Sequence, residues 1–203
     1  QAGYYLWEAG VATLINPPNW FGNNFSTNFG SINENGHAAF IFNPTVGSNP
    51  HIAFFNGVST IDIGSFGFRM FIGDINDNDV IGGSGETAPG FFKAFVYRPV
   101  GGLQLLPEYA GIAPLQQGGA TDVNNGGFIV ANLGNGPTVA CLYSPITGVT
   151  KKLIDYLPVG NTDWTSFETA IFINNLNQIV GKGTYLGTPN TPYILQLADS
   201  DVT

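Results

Sequence analysis

The sequence predicts an all-β protein, a β-propeller of about four four-stranded antiparallel blades, on three observations. First, 28 Gly, 13 Pro and 16 Phe accompany only 10% charged residues in 203, the composition of many short strands joined by tight turns. Second, one strand–turn–strand pattern recurs. Its clearest copy is Gly73-Asp74-Ile75-Asn76-Asp77-Asn78-Asp79-Val80-Ile81-Gly82-Gly83-Ser84, and related stretches begin at Ser31, Asp122 and Ile173. Third, aligning these copies sets Asn33, Asn76, Asn124 and Asn174 at spacings of 43, 48 and 50, a period that belongs to repeat architectures.

Taken in order, Gly3 to Trp7 and Val11 to Ile15 read as a hairpin across Glu8-Ala9-Gly10. Asn16 to Asn28 contains Pro17-Pro18 and five Asn, so it reads as a long loop displaying Trp20, Phe21 and Phe25. Phe29 to Asn33 and His37 to Phe42 form the first copy of the pattern. His51 to Phe55 and Val58 to Ile63 flank Asn56-Gly57, a strong short-range hairpin signal. Met70 to Asn76 and Val80 to Ser84 follow. Phe92 to Tyr97, Leu103 to Leu106, Thr121 to Asn124 and Phe128 to Asn132 repeat the cycle. Thr138 to Tyr143, Thr150 to Leu157, Ala170 to Asn174 and Gln178 to Gly183 repeat it again, and Pro192 to Leu197 is left over.

This grouping gives one domain over residues 1–203, with units at about 3–42, 51–84, 92–132 and 138–183. A blade cannot bury both faces alone, so the units are expected to stack around an axis. A closed ring, with Gly3 to Trp7 pairing to the last unit, is one expectation. The surplus strand at Pro192 to Leu197 favours the alternative, an arc of a larger propeller.

The segments His37-Ala38-Ala39-Phe40, His51-Ile52-Ala53-Phe54-Phe55 and Lys93-Ala94-Phe95-Val96-Tyr97, with the Ile-Asn turns, resemble the bacterial extracellular repeat family named for its His-Ala-Phe signature, the HAF repeats. Some copies depart from it: Val139-Ala140-Cys141-Leu142-Tyr143 has neither the His nor the Phe. The resemblance implies an exported, propeller-like protein. It implies no activity that transfers to particular residues.

A net charge of -8, with no gathering of Lys and Arg, argues against nucleic acid and anionic membranes as partners. No apolar run reaches the ~18 residues of a spanning helix, so no membrane insertion is expected. Low charge with abundant Asn, Gly, Thr and aromatics suits a secreted, extracellular protein. Gln1-Ala2-Gly3 runs straight into a strand, so the chain reads as processed or cut from a longer one. Cys141, alone in an apolar strand, reads as a buried small hydrophobe.

Asp74, Asn76, Asn78 and Asp79 place oxygens at alternating positions, as the start of a calcium loop does. The twelfth position is Gly85, not Glu, and the same residues serve a hairpin turn by bonding their own backbone. Calcium is therefore the alternative to a turn here, and no other cofactor is expected. His37 and His51 open aromatic strands and read as turn caps. Ser84 lacks the strand-to-helix elbow of a nucleophile. Asp62, Asp74, Asp122, Asp163 and Glu168 could supply paired carboxylates for glycoside hydrolysis if their separations suited.

The remaining feature is aromatic. Trp20, Phe21 and Phe25 in one loop, and Trp164 in Gly160-Asn161-Thr162-Asp163-Trp164-Thr165-Ser166, offer flat apolar platforms edged by polar groups, suited to a sugar or a protein. Trp7 ends a strand and reads as core. The leading expectation is a non-catalytic extracellular binding or adhesion module, with a glycan or cell-surface protein as partner. The alternatives are a subunit of a self-assembling extracellular layer or filament, and a glycoside-active enzyme.

Overall fold

A computed structural model describes residues 3–17, 30–109, 117–134 and 137–201. The protein is all-β, with five antiparallel sheets strung along the chain. A hairpin of β1 (Tyr5–Glu8) and β2 (Val11–Leu14) comes first. Blade 1 is β3 (Ser31–Ile32), β4 (Ala38–Phe42), β5 (His51–Phe55) and β6 (Thr60–Gly64). Blade 2 is β7 (Met70–Ile75), β8 (Ile81–Ala88), β9 (Phe91–Arg98) and β10 (Gly102–Leu105). Blade 3 is β11 (Gln117–Val123), β12 (Ile129–Gly134), β13 (Val139–Ser144) and β14 (Val149–Lys152). Blade 4 has three strands, β15 (Trp164–Ile173), β16 (Gln178–Tyr185) and β17 (Thr188–Gln196). Each blade is a simple up-and-down meander, every strand pairing with the next in sequence.

Most predicted strands stand, but of Thr150 to Leu157 only residues 150–152 are strand and Leu153–Tyr156 form a 3-10 turn, and the grouping of the strands changes. Each blade begins at an Asn turn and takes in the hairpin that follows it, so β4 pairs with β5 across residues 43–50. The segment 192–197 is no surplus strand: residues 192–196 belong to β17, which pairs with β16 from Gln178↔Gln196 to Tyr185↔Thr188. Residues 5–8 do not close a ring with the last blade, because β1 pairs with β2 alone. Their hairpin packs instead on Phe40, Phe42, Ala53 and Phe55 of blade 1. Tyr4 Oη donates to the Ile41 carbonyl at 2.5 Å, and Thr60 Oγ1 donates to the Ile15 carbonyl at 2.6 Å. Among the described residues, substantial strand-to-strand packing joins each blade only to the next. The described blades therefore form an open arc rather than a closed ring.

The core lies between successive blades. β4 and β5 are buried on both faces, which explains their unbroken apolar runs. Ile41, Ile52, Met70, Ile81 and Phe95 fill the space between blades 1 and 2. Fully burying such a side chain contributes about 1.5–3 kcal/mol, so these layers hold the blades together. At the axis the backbones themselves meet: a Cβ on Gly73 would lie 2.5 Å from the Ala120 carbonyl oxygen, and only Gly permits that approach. Cys141, Phe54, Phe95 and Ile173 are buried, as the strand assignment predicts. Trp7 is a correction. It is 71% exposed, because among the described residues no further sheet packs on the outer face of the hairpin.

Candidate functional site

The four Asn turns occupy equivalent places and bond to one another in series. In each turn the Asn N–H donates to the carbonyl four residues on, and the Asn carbonyl accepts the N–H three residues on. The side-chain oxygen accepts the backbone N–H four residues on: His37 for Asn33, Val80 for Asn76, Phe128 for Asn124 and Gln178 for Asn174. The fourth residue is left-handed, at φ 75° for Gly36, 60° for Asp79, 78° for Gly127 and 59° for Asn177. Asp and Asn are the non-Gly residues that tolerate this region best.

The Asn amide group then reaches the next blade. Asn33 Nδ2 donates to the Asn76 carbonyl (2.9 Å), Asn76 Nδ2 to the Asn124 carbonyl (2.7 Å) and Asn124 Nδ2 to the Asn174 carbonyl (3.2 Å). A second row lies beside it, in which the backbone N–H groups of Glu34, Asp77 and Asn125 donate to Asp77 Oδ1, Asn125 Oδ1 and Asn175 Oδ1. The four turns line one depression of about 260 Å³ at the axis.

The four residues weighed for calcium are all engaged in this network. Asn76 holds its own turn and the next blade, and Asn78 Nδ2 donates to the Asn125 carbonyl. Asp79 Oδ1 accepts from Asn33 Nδ2 at 3.1 Å and lies 2.8 Å from His37 Nδ1. Asp74 Oδ1 accepts from Ser31 Oγ at 2.5 Å. Their oxygens point to different neighbours rather than to one centre, the geometry expected of turn residues. Among the described residues, no group of three or more His, Cys, Asp or Glu could hold a metal.

The carboxylates divide similarly. Asp74 and Asp122 are hydrogen-bonded to each other, and Asp122 also accepts the Ile173 N–H at 2.6 Å. Burial, and then the bond to Asp74, push the Asp122 carboxyl well above the usual range. Directly bonded carboxyls leave no room for a glycosidic bond, which needs separations of about 5 Å or more. Asp62 pairs with His51 at 2.9 Å, and Glu168 accepts from Ser166 and Thr184. Asp163 is exposed ahead of β15.

Of the aromatic platform residues, Trp20, Phe21 and Phe25 lie outside the described residues. Trp164 is a correction. It begins β15 rather than standing in a loop, and its half-buried ring packs on Phe167, Tyr185 and Tyr193 with centroids 5.0–6.0 Å apart. A ring so covered joins the core of blade 4.

An aromatic platform does exist elsewhere. An open groove of about 550 Å³ between blades 2 and 3 is lined by Arg69, Phe71, Ser84, Phe92, Gln117 and Thr138, with Gly118 and Gly134 in its wall. Phe71 of β7 and Phe92 of β9 reach toward each other across β8, with centroids 5.6 Å apart. The Arg69 guanidinium stacks over Phe92 at 4.9 Å. It is fixed there by Glu86, with Nε to Oε2 at 2.6 Å and a second N–H to Oε1 at 3.0 Å. The Glu86 side chain is only 4% exposed while Arg69 is 58% exposed, so the carboxylate anchors a guanidinium that still faces solvent. Arg69 and the Gly90 N–H hold the Glu86 carboxyl down to about 2.

Space for the groove comes from β11. A Cβ on Gly118 would lie 2.0 Å from the Asn132 carbonyl oxygen, so no side chain can stand there. These residues span 70 positions of sequence, from Arg69 to Thr138, and no local pattern marks them. The alternation of β7, with Met70 buried and Phe71 exposed, was the one available sign of an outward ring. The sequence matches no protein-family model, and no curated protein proves similar to it.

Proposed function

We propose that this chain is a non-catalytic extracellular binding module, and that the groove between blades 2 and 3 holds a carbohydrate. The observation that carries the reading is the Phe71–Phe92 pair with Arg69 fixed beside it. Two rings present an apolar face, Arg69 offers N–H donors at its edge, and Ser84, Gln117 and Thr138 supply further hydroxyl and amide partners. A largely pre-formed cleft with an aromatic floor and a few placed polar groups is how small ligands are commonly held. The resemblance to the HAF repeats supports export.

Binding to a glycan array tests this, with Phe92→Ala and Arg69→Ala as variants and thermal unfolding as the control. The expected result is saturable binding to a subset of glycans, weakened at least about tenfold by either variant, as for other hot-spot aromatic and Arg residues. Absence of glycan binding, or binding unchanged in both variants, would refute it. A second reading, a subunit of an extracellular assembly, is favoured by one observation: the outer face of blade 4 exposes Phe172 and Ile194, and among the described residues nothing covers them.

A further inference from the structure

In every blade, one cross-strand row faces the blade that follows. The rows are Ser31–Ala39–Phe54, Asp74–Gly82–Val96 and Asp122–Val130–Leu142 in blades 1 to 3. Each is covered: Ser31 bonds Asp74, Gly82 faces Ala120 and Ile129, and Val130 and Leu142 pack with Ile173 and Ile179. The same register in blade 4 gives Phe172–Val180–Ile194. Among the described residues nothing covers it, and Phe172 is 62% and Ile194 75% exposed. A terminal repeat that serves as a cap carries a polar outer face. This one is apolar.

The opposite row in each blade faces the blade before it, and contains Ile75, Val123 and Ile173 in blades 2 to 4, all 3–5% exposed. Its counterpart in blade 1 is Ile32, which is 63% exposed. The N-terminal hairpin covers part of that back, over Phe40, Phe42, Ala53 and Phe55. Beside it, around the exposed Ile32, Gly30 to Ile32 and the edge of Ala38 to Phe40 line an open groove of about 420 Å³. Blade 4 has three strands and lacks an outermost fourth, while the hairpin already occupies the outer place behind blade 1. The two ends are therefore complementary in shape.

They are also complementary in hydrogen bonding. The blade 4 end presents donors: the Asn175 N–H, and the Asn174 amide, which turns back to Gln178 Oε1 at 2.8 Å for want of a next blade. The blade 1 end presents acceptors, the Asn33 carbonyl and the exposed Glu34 carboxylate, at the places where Asn76 and Asp77 accept from the blade before them.

We propose that the uncovered face of blade 4 packs on the uncovered back of blade 1 of a second copy of this chain, joining copies head to tail. The contact continues an interface that the chain already builds three times, between blades 1 and 2, 2 and 3, and 3 and 4. It rests on the assembly reading above and is independent of the carbohydrate groove. Because the two surfaces differ, the interface is heterologous, and copies add until a ring closes or a filament grows.

Sedimentation velocity over a concentration series tests this on the wild type, Ile32→Asp and Phe172→Asp, with Ile194→Asp as a second variant of the blade 4 end should Phe172→Asp not fold. All three positions are exposed in the single chain, so circular dichroism and melting of the monomer should be unchanged. The wild type should assemble as concentration rises. Each variant alone should stay monomeric, and an equimolar mixture of Ile32→Asp with Phe172→Asp should give a heterodimer and nothing larger, since each supplies one intact end. A wild type that stays monomeric at every concentration overturns both the contact and the assembly reading. Assembly that persists in the variants, or a mixture that stays monomeric, overturns the head-to-tail contact and leaves assembly by another surface.

Discussion

Replacing Asn76 by Ala should destabilise the protein far more than the same change at Asn174, although the two residues fill the same place in the same turn. Asn76 is buried; its amide donates to the Asn124 carbonyl, and its oxygen accepts from Asn78 N–H at 3.0 Å and Val80 N–H at 2.9 Å. Losing three such bonds at about 1 kcal/mol each costs roughly 3 kcal/mol. Asn174 also makes three, to Leu176 N–H, Gln178 N–H and Gln178 Oε1, but all are exposed. Water replaces those partners, so the cost there should be about 1 kcal/mol or less. Urea unfolding reads the difference as a shift in midpoint at unchanged slope. Asn76→Asp isolates the contact between blades, because it keeps the acceptor for the turn and sets an oxygen against the Asn124 carbonyl. It should retain most of the loss. Equal destabilisation by Asn76→Ala and Asn174→Ala, or a stable Asn76→Asp, would refute the view that these turns bind the blades in series.

Trp164→Ala should cost about 2–3 kcal/mol in the same urea assay, since a packed, half-buried ring is lost; full stability would mean that the ring stands free. Cys141 is fully buried, and burial pushes its thiol up to about 12 from 9.0, leaving about a thousandth of the ordinary thiolate. Disulfide-exchange reagents should label it only when the chain unfolds, and prompt native labelling would contradict the assignment. Glu86 and Asp122 should act in opposite senses on stability against pH. The lowered Glu86 carboxyl stabilises the fold above its unfolded value near 4.5, and that contribution disappears as pH falls toward about 2. The raised Asp122 carboxyl favours the fold while protonated, so stability is lost as pH climbs above the unfolded value near 3.8. Glu86→Gln should flatten the acid slope and Asp122→Asn the slope above it, measured by melting over a pH series; unchanged slopes would refute both.

What could be read in the sequence was local. Asn-Gly at 56–57 and the Asn turns fix their hairpins through backbone geometry within a few residues, so the strands and the four equivalent Asn were legible. Which hairpins share a sheet depends on pairing across longer links such as residues 43–50, and the blade boundaries shifted accordingly. The Asp74–Asp122 contact was implicit in the repeat: both stand two residues before an aligned Asn, as does Ser31, and adjacent blades bring equal positions together. Trp7 and Trp164 misled for a shared reason. Strand and loop context alone does not say where the arc ends or which ring the core covers. The groove of Arg69, Phe71 and Phe92 draws on two blades, and nothing short of the fold unites its residues.

Hydrogen exchange at three backbone amides, followed by nuclear magnetic resonance, tests the serial arrangement of turns most directly. Asp77 and Asn125 N–H groups donate to the next turn at 3.0 and 2.7 Å, and Asn175 occupies the equivalent position where the arc ends. The monomeric protein should show slowed exchange at Asp77 and Asn125 and near-unprotected exchange at Asn175. Three amides exchanging alike would contradict the account.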